Sequence, residues 1–140
     1  MSARSKARKQ ALDLLYEGDI RKTSPSDLLA QREVVEEGPD ARPIREFTKE
    51  LISGISDNRR KIDELISTYA QGWDMDRLPA VDRNILRLGI YEIVWSDAVD
   101  DAIVIDEALN LARSLSTDES AGYIHGVLGR IASIKESIAR

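Results

Sequence analysis

Basic and aromatic side chains cluster near the start of the chain. Residues 1–12 contain Arg4, Lys6, Arg8 and Lys9 and no acidic residue, and Tyr16 follows. At helical spacing, Lys6, Lys9 and Tyr16 lie opposite the apolar stripe. An aromatic ring beside cations can stack an unpaired RNA base while the cations hold the adjacent phosphates. The pattern indicates an RNA-binding surface, but a tyrosine covered by another helix beside a solvated basic terminus remains the alternative.

A second group of polar side chains interrupts the apolar segment 78–95. Arg83, Arg87 and Tyr91 are spaced four residues apart, so they share one strip of a helix. We expect this strip to mark where the helix reaches the surface. Either the arginines neutralise Asp82 or neighbouring carboxylates, or the strip faces a ligand or a protein partner.

The residues needed for catalysis or metal binding are missing from the sequence. The chain has no cysteine and a single histidine, His125, which excludes disulfides, thiolate zinc sites, cysteine nucleophiles and two-histidine metal sites. It also lacks a glycine-rich phosphate loop and the common hydrolase and metalloprotease motifs. We therefore predict that the protein is not an enzyme and that it has no catalytic residues, metal site or cofactor.

The charge of the chain is unevenly distributed. Its net charge is −5, and the 128 residues after residue 12 hold 16 of the 20 basic residues and all 25 acidic ones. A basic arm on an acidic body favours selective over indiscriminate binding of phosphate. No apolar run is long enough for a signal peptide or a membrane span, so we expect a cytoplasmic protein without a membrane partner.

The segment 78–95 is apolar around nearly its whole circumference, which is typical of a helix surrounded by other helices. No segment shows the period-two alternation of a strand, so we predict an all-α fold with two packed antiparallel helical sub-bundles around this central helix. We expect an N-terminal half at 1–75 with the basic first helix and a C-terminal half at 76–140 with the central helix and a partner-binding surface. The predicted helices cover 4–20, 25–35, 43–71 (one helix, or one bent at Gly54), 78–95, 102–115 and the segment from Ser116 onward.

Two local features of the last helices carry further expectations. Ser116 and Glu119 match a capping box that opens the last helix, and Leu115 is expected to face the core. Gly126 and Gly129 lie off the apolar face of that helix. Since glycine inside a helix costs about 1 kcal/mol relative to alanine, we expect another helix or a ligand to approach the bare backbone there.

Five segments in this order resemble the NusB transcription antitermination family, and together they cover most of the chain. The similar segments are RKQALDLLY (8–16), LISGI (51–55) with Asn58 and Ile62-Asp63, VDRNILRLGIYE (81–92), IVIDEA (103–108) and YIHGVL (123–128). Each segment alone is weak evidence, whereas the ordered set is highly specific.

The resemblance implies a non-enzymatic, RNA-binding antitermination factor. Its RNA would be the boxA element of ribosomal-RNA leader transcripts, and its protein partner would be NusE, ribosomal protein S-ten, in a complex on elongating RNA polymerase. A helical adaptor that binds protein partners only is the alternative. By position the RNA-binding residues would be Arg4, Lys6, Arg8, Lys9, Tyr16 and Tyr123, where Tyr123 replaces a phenylalanine, and the NusE-facing surface would include Asp82 and Arg87.

The chain departs from the family pattern at several positions. Asp13 stands where the family often has glutamine, which places a negative charge on the expected RNA-binding face; His125 replaces an asparagine, and Asp100 replaces a proline. The same face of the first helix carries Tyr16 and Ile20, through which two copies could pair around a two-fold axis. The sequence does not fix the oligomeric state, but a homodimer formed through this face would compete with RNA.

Overall fold

The central helix predicted from the sequence is the element around which the other helices pack. In the computed structural model, which describes residues 2–35, 43–72 and 77–140, this helix (α5) spans Ala80–Trp95 and buries eleven of its sixteen residues. A helix that is apolar on every side loses the most exposed surface when other helices enclose it. The prediction of a buried central helix is confirmed.

All regular structure in the described residues is helical, which confirms the predicted all-α class. In chain order, the other helices are α1 (Ala3–Arg21), α2 (Pro25–Val35), α3 (Glu46–Asp57), α4 (Arg59–Tyr69), α6 (Asp101–Leu115) and α7 (Asp118–Ile134), which ends in a 3₁₀ turn at Lys135–Ser137. None of these helices is both long and apolar enough to cross a membrane.

The other helices pack around α5. Helices α1, α3, α4, α6 and α7 all contact it, α2 packs on α1 and α3, and the N-terminal set (α1–α4) meets the C-terminal set (α6 and α7) where α4 contacts α7. Fully buried leucine and isoleucine side chains from both sets join α5 in one continuous core. The division at residues 72–77 stays a prediction, because residues 73–76 lie outside the described part of the chain.

The segment predicted as one helix or a helix bent at glycine forms two helices that meet at Asn58. The backbone of Asn58 leaves the helical region (φ −117°, ψ 13°), and its side-chain Nδ2 donates to the carbonyl of Gly54 at 2.8 Å. Gly54 lies inside α3 beneath Tyr91, where a Cβ atom would come within 2.2 Å of the ring. Glycine at residue 54 therefore makes room for the aromatic ring above it, and the helix break lies at Asn58 instead.

The start of α7 also differs from the prediction. Thr117, not Ser116, is the N-cap, and its side-chain oxygen accepts from the backbone N–H of Ser120 at 2.9 Å. Leu115 is 42% exposed instead of facing the core. A Cβ at Gly126 or Gly129 would have no atom within 4 Å, so no helix in the described part approaches them, and the expectation of a ligand stays open.

Candidate nucleic-acid interface

The outer face of α1 presents an aromatic ring to solvent. Tyr16 is 42% exposed and Ile20, one turn further, is 60% exposed, although α1 buries leucine and alanine side chains on its other side. Lys6 is exposed and Lys9 is partly exposed on the same face as Tyr16. The structure thus places Lys6, Lys9 and Tyr16 on one face of α1 as the sequence predicts, with Lys9 about two turns and Lys6 nearly three turns before Tyr16. The predicted RNA contacts and homodimer through this face stay predictions.

Asp13 modifies the charge of this face by pairing with a lysine. The Nζ of Lys9 donates to Oδ1 of Asp13 at 2.6 Å, one turn along α1. Both side chains are exposed enough for water to screen the pair, which weakens the stabilisation it provides. The pair nevertheless offsets the charge of Lys9, so Asp13 reduces the positive potential that an RNA phosphate would meet near Tyr16.

Arg8 lies elsewhere than predicted, because its guanidinium is buried instead of exposed on the basic face. It is 3% exposed, and its Nε and Nη2 each donate to a carboxylate oxygen of Glu92 at 2.8 Å. A second carboxylate, Glu107, lies 3.9 Å from Nη1. Burial alone would lower the pKa of Arg8, but the hydrogen bonds and charges of Glu92 and Glu107 raise it. Arg8 joins α1 to α5 and α6 and is not part of the exposed surface.

Arg4 contacts the same aromatic ring as Arg8 but remains at the surface. Its guanidinium carbon is 5.3 Å from the centroid of the Phe47 ring, and Nη1 donates to the carbonyl of Ala98 at 3.4 Å. Arg8 approaches the same ring at 5.4 Å. Arg4 remains exposed, so its charge is available to a ligand while the aromatic ring restrains its side chain.

The prediction that Arg83, Arg87 and Tyr91 mark where α5 reaches the surface is wrong for Arg87, which is buried, whereas Arg83 and Tyr91 are partly exposed. Arg87 is 4% exposed, and it donates to Asp19 of α1 and to Asp63 of α4, each at 2.8 Å. Arg83 donates to the same Asp19 oxygen at 3.0 Å. The strip faces the N-terminal helices, and its arginines neutralise carboxylates, although these are not Asp82. Arg87 consequently has internal partners and does not present its charge to a protein partner in this structure.

Asp19 is the centre of this ionic network, and the sequence reasoning missed it. Burial would raise the pKa of Asp19, but the charge of Arg87 and the hydrogen bonds from Asn84 and Arg83 hold it below its usual value. Asp19 lies at the edge of the apolar stripe of α1, near Arg8 on the helical circumference. A carboxylate at the edge of an apolar stripe is the feature of the sequence that could have predicted this buried ion pair.

Asp82 and Tyr123 share a small cavity between α5 and α7. The cavity measures about 260 Å³ and is also lined by Leu78, Pro79 and Ser120. Asp82 is 3% exposed; one oxygen accepts from the Ser120 hydroxyl at 2.7 Å, and no hydrogen bond in the described part reaches the other, Oδ1. Burial raises the pKa of Tyr123, and the charge of Asp82 adds to the effect.

The two residues predicted to bind the partner, Asp82 and Arg87, therefore have different surroundings in the structure. Asp82 lines the cavity and has a buried carboxylate oxygen without a donor in the described part, whereas both aspartate partners of Arg87 belong to the N-terminal helices. The structure places Asp82 in the same cavity as Tyr123, a residue predicted to contact RNA, and not beside Arg87.

Comparison with known proteins places the chain in a family. The model of the NusB family matches residues 5–133. The chain is 49% identical to the transcription antitermination protein NusB of Saccharopolyspora erythraea, with 99% of this chain and 92% of that protein covered. It is 47% identical to the protein of the same name from Streptomyces coelicolor, with 100% and 99% covered.

Solved structures agree with this result. A NusB structure from Thermotoga maritima matches with a TM-score of 0.81 and 31% identity, covering 98% of this chain and 99% of that one. A crystal structure of the antitermination factors NusB and NusE in complex with double-stranded RNA matches with a TM-score of 0.77 and 27% identity, covering 93% and 96%.

The chain belongs to the NusB family of transcription antitermination proteins. The proteins of this family are antitermination factors and not enzymes, so the prediction of a non-enzymatic protein is confirmed by the assignment.

Proposed function

We propose that the protein binds the boxA element of ribosomal-RNA leader transcripts together with NusE, and that the pair joins the antitermination complex on elongating RNA polymerase. One observation carries the RNA part of this proposal: Tyr16 points outward on α1, on the same exposed face as Lys6 and Lys9. The expected place of action is the cytoplasm, where nascent transcripts are made.

The geometry of α1 suits a single-stranded RNA. The exposed ring of Tyr16 offers a flat surface for one unpaired base, and the lysines lie within the same helical face to hold neighbouring phosphates. The acidic body of the protein repels nucleic acid elsewhere, since the net charge is −5. Binding is therefore expected to concentrate on the face that carries Tyr16.

The cavity around Asp82 supports a protein partner on the C-terminal half. A buried carboxylate oxygen without a hydrogen-bond donor is costly, so a donor supplied by a bound partner would stabilise the complex. The cavity walls from Leu78 and Pro79 provide apolar contact around such a donor. We assign NusE to this surface, with RNA approaching it near Tyr123.

Replacing Tyr16 by alanine tests the RNA site. The Tyr16→Ala variant should bind a single-stranded boxA RNA about 1–3 kcal/mol more weakly, because one stacked base is worth that much. Fluorescence anisotropy titrations with and without NusE would measure the loss. The melting temperature of the variant should stay close to that of the parent, since the ring is half exposed and surface substitutions usually have small effects on stability.

The matched control is Tyr16→Phe, which keeps the stacking ring and should bind as the parent does. Equal binding by Tyr16→Ala and the parent would remove Tyr16 from the RNA site. If the parent binds NusE but neither single-stranded nor double-stranded RNA, the protein is an adaptor for proteins alone. A duplex competitor that displaces boxA RNA equally well would show that the surface does not select single strands.

A further inference from the structure

A groove runs beside the RNA-binding face of α1, where the start of α3 packs against it. It encloses about 540 Å³, with Lys6, Lys9 and Asp13 on the α1 side and Pro43, Ile44 and Arg45 on the other. The groove includes both lysines already assigned to RNA but also residues more than thirty positions further along the chain. No pattern in the sequence connects Arg45 to the basic first helix.

The far wall of the groove is fixed to α1 by the side chain of Gln10. Its Nε2 donates to the carbonyl of Pro43 at 3.2 Å, and its Oε1 accepts from the backbone N–H of Arg45 at 3.1 Å. The same oxygen accepts from the buried hydroxyl of Thr48 at 2.9 Å. These three hydrogen bonds set the spacing between Arg45 and the lysines before any ligand binds, which lowers the cost of ordering the site.

The groove carries excess positive charge. Three cations line it, and its one lining carboxylate, Asp13, is paired with Lys9. Within the described residues, the side chains of Lys6 and Arg45 have no ion pair or hydrogen bond; Arg45 is the N-cap residue of α3, but its side chain makes no capping hydrogen bond. Two cations without a partner in the described part of the chain, on opposite walls of an open groove, are suited to a phosphodiester, which can accept hydrogen bonds from both sides.

We infer that this groove holds the RNA backbone next to the base stacked on Tyr16, and that Arg45 is an RNA-binding residue outside the basic first helix. The inference rests on the proposed function and extends its site to α3. Apolar Pro43 and Ile44 contact the sugar, while Lys6 and Arg45 hold the phosphate from the two walls. The RNA path therefore crosses from α1 towards α3 instead of following α1 alone.

An Arg45→Gln variant tests this inference by its dependence on salt. Each phosphate contact on a single strand contributes about −0.7 to the slope of log affinity against log salt, so the variant should have a slope shallower by about 0.7. The loss of one such phosphate contact also corresponds to roughly 5-fold weaker binding at 0.1 M salt. Anisotropy titrations of boxA RNA between 50 and about 300 mM salt would measure both quantities.

Arg60→Gln is the matched control. It removes the same charge from α4, where the side chain is 92% exposed and its ion pair within the described residues is with Glu64, one turn away. It should leave the slope unchanged, which separates a contact in the groove from a general loss of charge. An unchanged slope for Arg45→Gln, or an equal change in both variants, would overturn the inference.

The outcomes also separate this inference from the proposed function. If the parent binds RNA and Tyr16→Ala weakens it while Arg45→Gln does not, the function stands and the groove is not its site. A parent that fails to bind RNA refutes both. A loss of NusE affinity in Arg45→Gln with RNA binding intact would make the groove a protein contact and refute the inference.

A spectroscopic readout adds evidence that does not depend on charge. Bound RNA should shift the side-chain amide signals of Gln10 in ¹H–¹⁵N spectra, because this amide forms the base of the groove. Inorganic phosphate alone should not shift them at millimolar concentration. Equal shifts with phosphate alone would identify a site for free anions and would refute an RNA-backbone site.

Discussion

Arg8 shows how a basic residue in an RNA-binding segment can serve the fold instead. Its position within the run of lysines and arginines predicted a surface contact, yet two hydrogen bonds at 2.8 Å fix it to Glu92 inside the protein. Only three-dimensional packing placed a carboxylate of α5 opposite it. The basic residues of the first helix therefore have two roles: Arg8 forms an internal ion pair, whereas Lys6 and Lys9 lie on the exposed face.

We predict that Arg8→Ala lowers the free energy of unfolding by about 3–5 kcal/mol, because it leaves Glu92 buried without its partner. Urea denaturation followed by circular dichroism would measure the change. Replacing both partners, as Arg8→Met with Glu92→Leu, should recover most of the loss, since no unpaired buried charge remains. A single variant as stable as the parent would show that Arg8 is not needed for folding.

At the scale of helices, glycine has different roles in α3 and α7. A Cβ at Gly54 would lie 2.2 Å from the Tyr91 ring, whereas a Cβ at Gly126 would have no atom within 4 Å. The contact at Gly54 lets α5 pack closely on α3 through an aromatic side chain. The open space at Gly126 means that its bare backbone is not explained by packing within the described chain.

These two positions give a matched pair of predictions on stability. Gly54→Ala should destabilise the protein by about 1–3 kcal/mol through overpacking against Tyr91. Gly126→Ala should instead stabilise it by about 1 kcal/mol through helix propensity. Thermal unfolding of both variants would measure the contrast. A destabilised Gly126→Ala variant would contradict the open space found there.

The packing explanation for Gly54 has its own control. Combining Gly54→Ala with Tyr91→Leu removes the ring that the new methyl group would meet. The double variant should lose less unfolding free energy than the two single variants lose together, since the overpacking disappears. Strict additivity would mean that Tyr91 is not the cause.

Across the whole molecule, buried and partly buried ion pairs join the N-terminal helices to the central helix. Asp19 of α1 and Asp63 of α4 accept from Arg87 of α5, and Arg8 of α1 donates to Glu92 of the same helix. Unlike apolar contacts, these pairs fix the register of the helices because each donor needs one particular acceptor. They also make the stability depend on pH.

The lowered pKa of Asp19 predicts a loss of stability in acid. A carboxylate whose pKa is lower in the folded than in the unfolded state stabilises the fold above its unfolded value of about 3.9. That contribution is lost as the pH falls from about 3.9 through the pKa of Asp19 in the folded protein. The Asp19→Asn variant should therefore be less stable than the parent at pH 7 and should depend less on pH below about 4.

Urea denaturation at a series of pH values would compare the two proteins. The difference in unfolding free energy should shrink steadily as the pH falls through this window, because the parent's carboxylate becomes protonated. A difference that stays constant down to the lowest pH would show that the charge of Asp19 does not contribute to stability.

The sequence by itself determined the helices and the family of this protein. Helical periodicity located the central helix and α2 to within a few residues, and the ordered motifs indicated the NusB family, because both are local properties of the chain. The sequence also indicated that Tyr16 points away from the apolar stripe of α1, but its exposure, which excludes a ring covered by another described helix, is a result of the structure.

Only the tertiary structure decided which charged residues are free to bind a ligand. Arg8 and Lys9 are neighbours in sequence, but one faces Glu92 in the interior and the other faces solvent. Arg87 meets carboxylates that are 68 and 24 positions away, and Arg45 lies across a groove from Lys6. The availability of a charge depends on partners from distant parts of the chain, which spacing within one helix does not specify.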